Sequence, residues 1–142
     1  MWVRLSAVSL AVLFVVSAWS QGLERKSERQ AKFEEGLIRG TATSEGVTTQ
    51  WALYVPPDYD ASKPWPLIVF LHGAGERGDD GLRQVKVGIG PEIRDNPDRF
   101  PCLVLMPQCL PNYFWPAERS DLGVQDAVSQ LPPRPMSGTT AG

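Results

Sequence analysis

Two runs of apolar residues without alternation, PLIVFL at 66–71 and CLVLM at 102–106, constrain the fold of this chain more than any other feature. A strand with one face in water alternates apolar and polar residues. A continuous run of this length belongs instead to a strand covered on both faces, as in a parallel sheet flanked by helices. Parallel neighbours need a crossover, and the thirty residues 72–101 between the runs suffice for one that includes a helix. Within it, GLRQVKV at 81–87 can form two turns, Gly88, Gly90 and Pro91 interrupt, PEIRD restarts the helix and Asn96-Pro97 ends it.

The preceding stretch has another period. In VTTQWALYV, Val47, Thr49, Trp51, Leu53 and Val55 alternate with Thr48, Gln50, Ala52 and Tyr54, which predicts a strand buried on one face. GLIRGTAT at 36–43 lies across the turn Ser44-Glu45-Gly46, so the two segments read as an antiparallel hairpin. PPDYDASKPWP then breaks regular structure, because proline fixes φ and has no N–H to donate. The fold class expected is α/β: an antiparallel hairpin leading into a mainly parallel sheet.

Both ends of the chain differ in character from this centre. Arg4, an apolar stretch over residues 5–16, and small residues Ala18 and Ser20 before Gln21 form the pattern of a cleavable secretory signal peptide, residues 1–20. The apolar stretch is shorter than the ~20 residues of a membrane span. The pattern predicts a secreted or periplasmic protein. Residues 21–35 are mixed-charge helix formers with few apolar positions and read as a charged helical leader ending at Gly36. Residues 36–118 form the α/β part. In 119–142 a helix is possible within ERSDLGVQDAVSQL, with Val124 and Val128 spaced i, i+4, but PPRPMSGTTAG has no large apolar residue except Met136 and reads as a degenerate or disordered tail.

Composition excludes several classes. Residues 1–20 hold one of the 14 Lys and Arg and none of the 16 Asp and Glu, so the remainder is weakly acidic and carries no basic stripe for nucleic acid. Two cysteines and one histidine make a poor metal site, and no metal or organic cofactor is implied. Cys102 and Cys109 are seven residues apart, up to ~23 Å along an extended strand, too far for a disulfide.

The chemistry-bearing segment is LHGAGERGDDG at 71–81. Gly73-Ala74-Gly75-Glu76-Arg77-Gly78 fits the dinucleotide fingerprint G-x-G-x-x-G, which needs a helix opening directly from the loop and an acidic residue at the end of a strand about 20 residues later. Here Asp79, Asp80 and Gly81 follow, a poor helix start, and Asp98 stands before a strand, not at the end of one. The same residues also begin with His72-Gly73.

The stretch YVPPDYDASKPWPLIVFLHGAGERGDD, with FPCLVLMPQC and Trp115 beyond it, resembles the early sheet of the α/β-hydrolase superfamily. It is most similar to exported esterases and predicted peptidases of the carboxylesterase, dienelactone-hydrolase and polyhydroxybutyrate-depolymerase type. The resemblance covers about residues 36–115 and implies a serine-type hydrolase acting on a small-molecule or polymeric ester or peptide by acyl transfer. It implies that the Ala74 N–H is an oxyanion-hole donor, that Gly73 and Gly75 shape the loop, and that His72 braces it. Glycines would let such a loop turn sharply and let backbone approach the substrate. Glu76, Arg77, Asp79 and Asp80 are either cleft rim or solvated loop, and Trp115, beside Tyr113 and Phe114, is either pocket wall or core.

A catalytic triad is not found in this sequence. The superfamily's order is nucleophile, acid, histidine, with the serine in a G-x-S-x-G elbow. Ser44 lies in the hairpin turn before the oxyanion strand, Ser137 has Pro135 in place of the first glycine, and no histidine follows His72. The expectation is an N-terminal fragment, inactive alone, in which two buried strands lack neighbours. Two other function classes stand beside it: an exported non-catalytic binding module and a nucleotide-binding oxidoreductase.

Overall fold

The computed structural model describes residues 7–115 and 124–131. Helix α1 (Ala7–Glu35) leads into strands β1 (Leu37–Ser44) and β2 (Val47–Tyr54), and β3 (Leu67–Val69) follows the proline-rich segment. Helix α2 (Ile89–Asp95) lies in the crossover to β4 (Leu103–Pro107), and a short helix α3 (Val124–Ser129) completes the described residues. The four strands form one mixed sheet in the order β1-β2-β4-β3. The fold is mixed α/β.

The hairpin follows from its turn. Glu45 (φ 51°) and Gly46 (φ 77°) both adopt positive φ, as a two-residue turn needs if its twist is to match the flanking strands. Ser44 pairs with Val47, and Leu37 with Tyr54, so β1 and β2 stay in register over their whole length. β2 also pairs antiparallel with β4, Leu53 opposite Leu105, and β4 pairs parallel with β3, Val104 opposite Ile68.

Strand β2 departs from the one-faced burial that its alternation predicts. Residues 51–55 are buried on both faces: Trp51, Leu53 and Val55 pack with Tyr59, Leu103, Leu105 and Ala127, while Ala52 and Tyr54 pack with Phe33, Val85, Ile93, Val104 and Met106. The outward residues that looked compatible with water, alanine and tyrosine, lie beneath α1 and α2. β4 is covered on both faces, as its unbroken apolar run predicts.

Strand β3 differs in the opposite sense. It is an edge strand among the described residues, and Ile68, Val69 and Leu71 are 39%, 36% and 45% exposed. One side of it is satisfied by β4, with Phe70 N–H donating to Leu105 O (2.8 Å). Helix α3 lies against β1 and β2, and α2 against α1 and the turn before it, so this cover is centred away from β3.

Glycines expected to interrupt the crossover helix instead start it. Gly88 (φ 55°) is the N-cap of α2, and Gly90 lies in its first turn, where a Cβ would come within 1.9 Å of Val85 O. The preceding segment forms only a 3₁₀ turn, Arg83–Lys86, and α2 ends at Asp95, before Asn96-Pro97. The charged segment 19–35 is helical and mostly exposed, but Phe33 is buried and stacks on Tyr54 with ring centroids 5.9 Å apart. Beyond the boundary drawn at 118 the described residues include a packed helix: Ala127 of α3 is fully buried, and Val124 and Leu131 pack with it against the sheet. Residues 116–123 and 132–142, with Ser137, lie outside the described residues, as do residues 1–6 of the expected signal peptide. Among the described residues no helix is long and apolar enough to cross a membrane. Cys102 and Cys109 are separate, buried free thiols, and burial raises the pKa of each.

A paired substitution tests the close packing of β1 on β2. A Cβ on Gly40 would stand 2.3 Å from the Trp51 ring, whereas one on Gly22, in α1, meets nothing within 4 Å. Gly40→Ala is expected to destabilise by about 1–3 kcal/mol in urea unfolding. Gly22→Ala should leave stability unchanged or raise it, because alanine is the better helix former.

Candidate functional site

β3 delivers the chain to His72, which is buried and has both ring nitrogens engaged. Cys109 N–H donates to Nε2 (3.0 Å), and since a backbone N–H can only donate, Nε2 is unprotonated. Nδ1 therefore carries the proton and donates to Gly73 O (2.6 Å). Trp115 Nε1–H donates to His72 O (2.9 Å), and its indole meets the imidazole edge-to-face at 5.0 Å. The ring is a neutral strut between the loop and the segment after β4, with no nitrogen left for proton transfer.

Past His72, Gly73 is extended (φ −77°, ψ −177°) and caps a three-residue 3₁₀ turn, Ala74–Glu76, with no side-chain cap. Ala74 and Gly75 open the turn, so their N–H groups have no acceptor within it. Gly73, Ala74 and Gly75 are all exposed. Neither glycine has positive φ, so sharp turning is not what this site requires of them. Their contribution is the absent side chain: a Cβ on Gly75 would meet nothing within 4 Å, and one on Gly73 only Glu76 Oε2, at 3.2 Å. The result is an exposed strip, with Ala74 flanked by two glycines, whose first two N–H groups have no acceptor within the turn.

What holds this strip is Gln108, which sequence reasoning missed. It directly follows β4, is fully buried, and its own N–H extends the β2–β4 ladder by donating to Gln50 O (2.8 Å). Its Oε1 accepts Gly81 N–H (2.6 Å), while its Nε2 donates to Glu76 O (3.1 Å) and Asp80 Oδ1 (2.9 Å). Gly78 N–H donates to Cys109 O (2.9 Å), and a Cβ on Gly78 would stand 2.8 Å from Gln108 Nε2. The only sequence trace of this was a glutamine between an apolar run and a cysteine. A polar residue there is also an ordinary strand end.

The charged residues divide. Asp80 Oδ1 also accepts the N–H groups of Leu82 (2.8 Å) and Arg83 (3.3 Å), and its Oδ2 lies 3.1 Å from Arg83 Nε. The Leu82 N–H, then the Gln108 amide, then Arg83 hold its pKa down to about 2. Asp80 is thus part of the loop's internal frame. Arg77 lies over the Phe114 ring, 4.2 Å from its centroid, and Phe114 is itself 74% exposed. Trp115 is half-buried against His72, and Asp79 is exposed.

The geometry departs from a dinucleotide site. The loop opens into a three-residue 3₁₀ turn, and the next α-helix starts only at Ile89. Asp98 sits in the 3₁₀ turn Pro97–Arg99 ahead of β4. Ser44 closes β1 at the hairpin turn. Among the described residues no group of three or more His, Cys, Asp or Glu is placed to hold a metal ion.

No protein-family model matches the chain, and no curated protein matches it. Among solved structures, the chain is similar to the crystal structure of a thermostable esterase, with 34% identity and a TM-score of 0.45. The match covers 58% of this chain and 24% of the esterase, so the chain spans about a quarter of that protein's length.

Two measurements test the frame around the strip. Asp80's pKa is depressed in the folded state, so its contribution to stability is present above the unfolded value near 3.8 and lost as pH falls through about 2. The Asp80 carboxyl carbon should titrate with a midpoint near 2 by NMR, and the Leu82 amide shift should follow the same curve. His72→Phe leaves the Cys109 N–H without its acceptor and should cost about 1–3 kcal/mol in chemical denaturation.

Proposed function

We propose that this chain is the oxyanion-binding part of an exported serine-type hydrolase acting on ester or peptide bonds by acyl transfer. The observation that carries this reading is the exposed, uncapped 3₁₀ turn after β3, in which the Ala74 and Gly75 N–H groups have no acceptor and Ala74 is flanked by two glycines. In acyl transfer a base takes the serine proton as the serine oxygen bonds to the substrate's acyl carbon, and the carbonyl π pair moves onto the carbonyl oxygen. Collapse of the adduct expels the protonated alcohol or amine. The tetrahedral anion is stabilised by N–H groups already aimed at it, each worth about 3–4 kcal/mol. The Ala74 N–H is the donor in this reading, Gly73 and Gly75 keep its approach clear, and His72 fixes the loop's first residue. His72 does not act as the base, because both its nitrogens are committed.

In this reading the serine, the acid and the base come from outside the residues described. The exposed apolar edge of β3 supports this, since Ile68, Val69 and Leu71 stand where a further strand would cover them. Export follows from the signal-like residues 1–20, whose removal would leave α1 starting near Gln21. The substrate is a small-molecule or polymeric ester or peptide, with no nucleic acid, metal or organic cofactor involved.

The coding sequence past codon 142, read in all three frames, should contain a G-x-S-x-G elbow followed by an aspartate or glutamate and a histidine. Its absence would end this reading. In the catalytically complete protein, Ala74→Pro removes one N–H with little disturbance, because proline suits the first position of a helical turn and Gly73 already has the extended backbone that proline demands of its predecessor. The expected loss is about 10²–10³-fold in kcat toward a p-nitrophenyl ester, with thermal stability unchanged.

A further inference from the structure

Two consecutive residues, Gln108 and Cys109, grip the loop 72–81 at five points. Cys109 N–H holds His72 Nε2 and Cys109 O holds Gly78 N–H; the Gln108 carboxamide holds Glu76 O, Asp80 Oδ1 and Gly81 N–H. The contacts at His72 and Glu76 bracket the strip that carries the Ala74 and Gly75 donors. The turn between them is only three residues long, so fixing the carbonyl at its end and the imidazole ahead of its start fixes the direction of both N–H groups.

The chemistry of the grip selects the residue type. Two acceptors and one donor converge on the side chain of residue 108, in a place from which water is excluded. A carboxamide supplies the matching donors and acceptor; a carboxylate supplies acceptors only, and a thioether of similar length supplies neither. The anchor is rigid because Gln108's backbone is tied to Gln50 at the end of the ladder, and Gly78 makes room for the side chain by having no Cβ.

We propose that Gln108 is the positioning residue of this loop, setting the direction in which the Ala74 and Gly75 N–H groups point. Its functional meaning rests on the oxyanion reading above, but its geometric claim stands apart from it. Gln108 touches no reacting atom in this role and acts through the Glu76 carbonyl. The charged groups around it are Asp80, paired with Arg83, together with Glu76 and Arg77 of the loop itself.

The test uses the 142-residue protein with Gln108→Glu and Gln108→Met, and two readouts. Residual dipolar couplings of the residue 74–76 amides, fitted to an alignment frame from the Leu53 and Leu105 amides, report the direction of the strip relative to the sheet. Titration with methylphosphonate, a tetrahedral anion, reports capture through the Ala74 and Gly75 amide shifts. At pH 7.5 both variants should displace the couplings of residues 74–76 from the wild-type fit and weaken methylphosphonate binding at least tenfold, with the sheet couplings unchanged. Lowering the pH to 5 should restore both readouts in Gln108→Glu alone, because protonation gives the introduced carboxyl a donor again.

Wild-type couplings in both variants overturn the proposal. So does a loss of sheet and loop couplings together with no recovery of Gln108→Glu in acid, which makes residue 108 a packing residue only. If wild-type protein shows no Ala74 or Gly75 response to methylphosphonate, the oxyanion reading fails, and the couplings still decide the role of Gln108.

Discussion

The antiparallel pairing of β2 with β4 is the constraint on which everything else depends. Leu53 and Leu105 face each other across it and are fully buried, and both apolar clusters are built on residues of these two strands. β1 is added to this pair by a local turn, β3 by a crossover, and helices α1 and α2 on one face and α3 on the other close it from water. The pair also ends in a useful place. Where β4 stops pairing, its next two residues turn their polar groups to the loop leaving β3, so the sheet's hydrogen bonds continue directly into those that shape the strip.

This continuity explains how a glycine-rich segment on the surface holds a defined shape. Most of its fixed points are backbone groups or the Gln108 amide, all rooted in the buried sheet, and its one histidine is locked in a single tautomer by a backbone donor. Asp80 adds a capping interaction within the loop. The exposed part, Gly73 to Gly75, is therefore anchored on both sides without being covered.

The hairpin, the crossover and the unbroken strand β4 were legible in the sequence because each rests on a local cause: a two-residue turn, a chain length, a run without polar residues. The faces of β2 and β3 were not. Ala52 and Tyr54 alternate properly with larger residues, but helices distant in sequence cover them, while Ile68 and Val69 look like core and meet solvent. Burial is decided by what packs on a strand, and that information lies elsewhere in the chain. The loop glycines were visible as a motif, but the physical reason for them lay in unoccupied space, not in φ. Gln108 was illegible for the same reason: its three side-chain partners are 27 to 32 residues away.

The separation between the hairpin and the crossover also orders the assembly of this chain in time. β1 and β2 meet across a two-residue turn and can pair on the microsecond scale of hairpins. β4 joins only after the whole crossover has been closed into a loop, an entropic cost paid before any of its contacts form. The segment 72–81 has no anchor until that closure is complete, since Gln108 and Cys109 arrive with β4. The strip thus takes shape only once β4 has docked, and its geometry reports that the long-range pairing has succeeded.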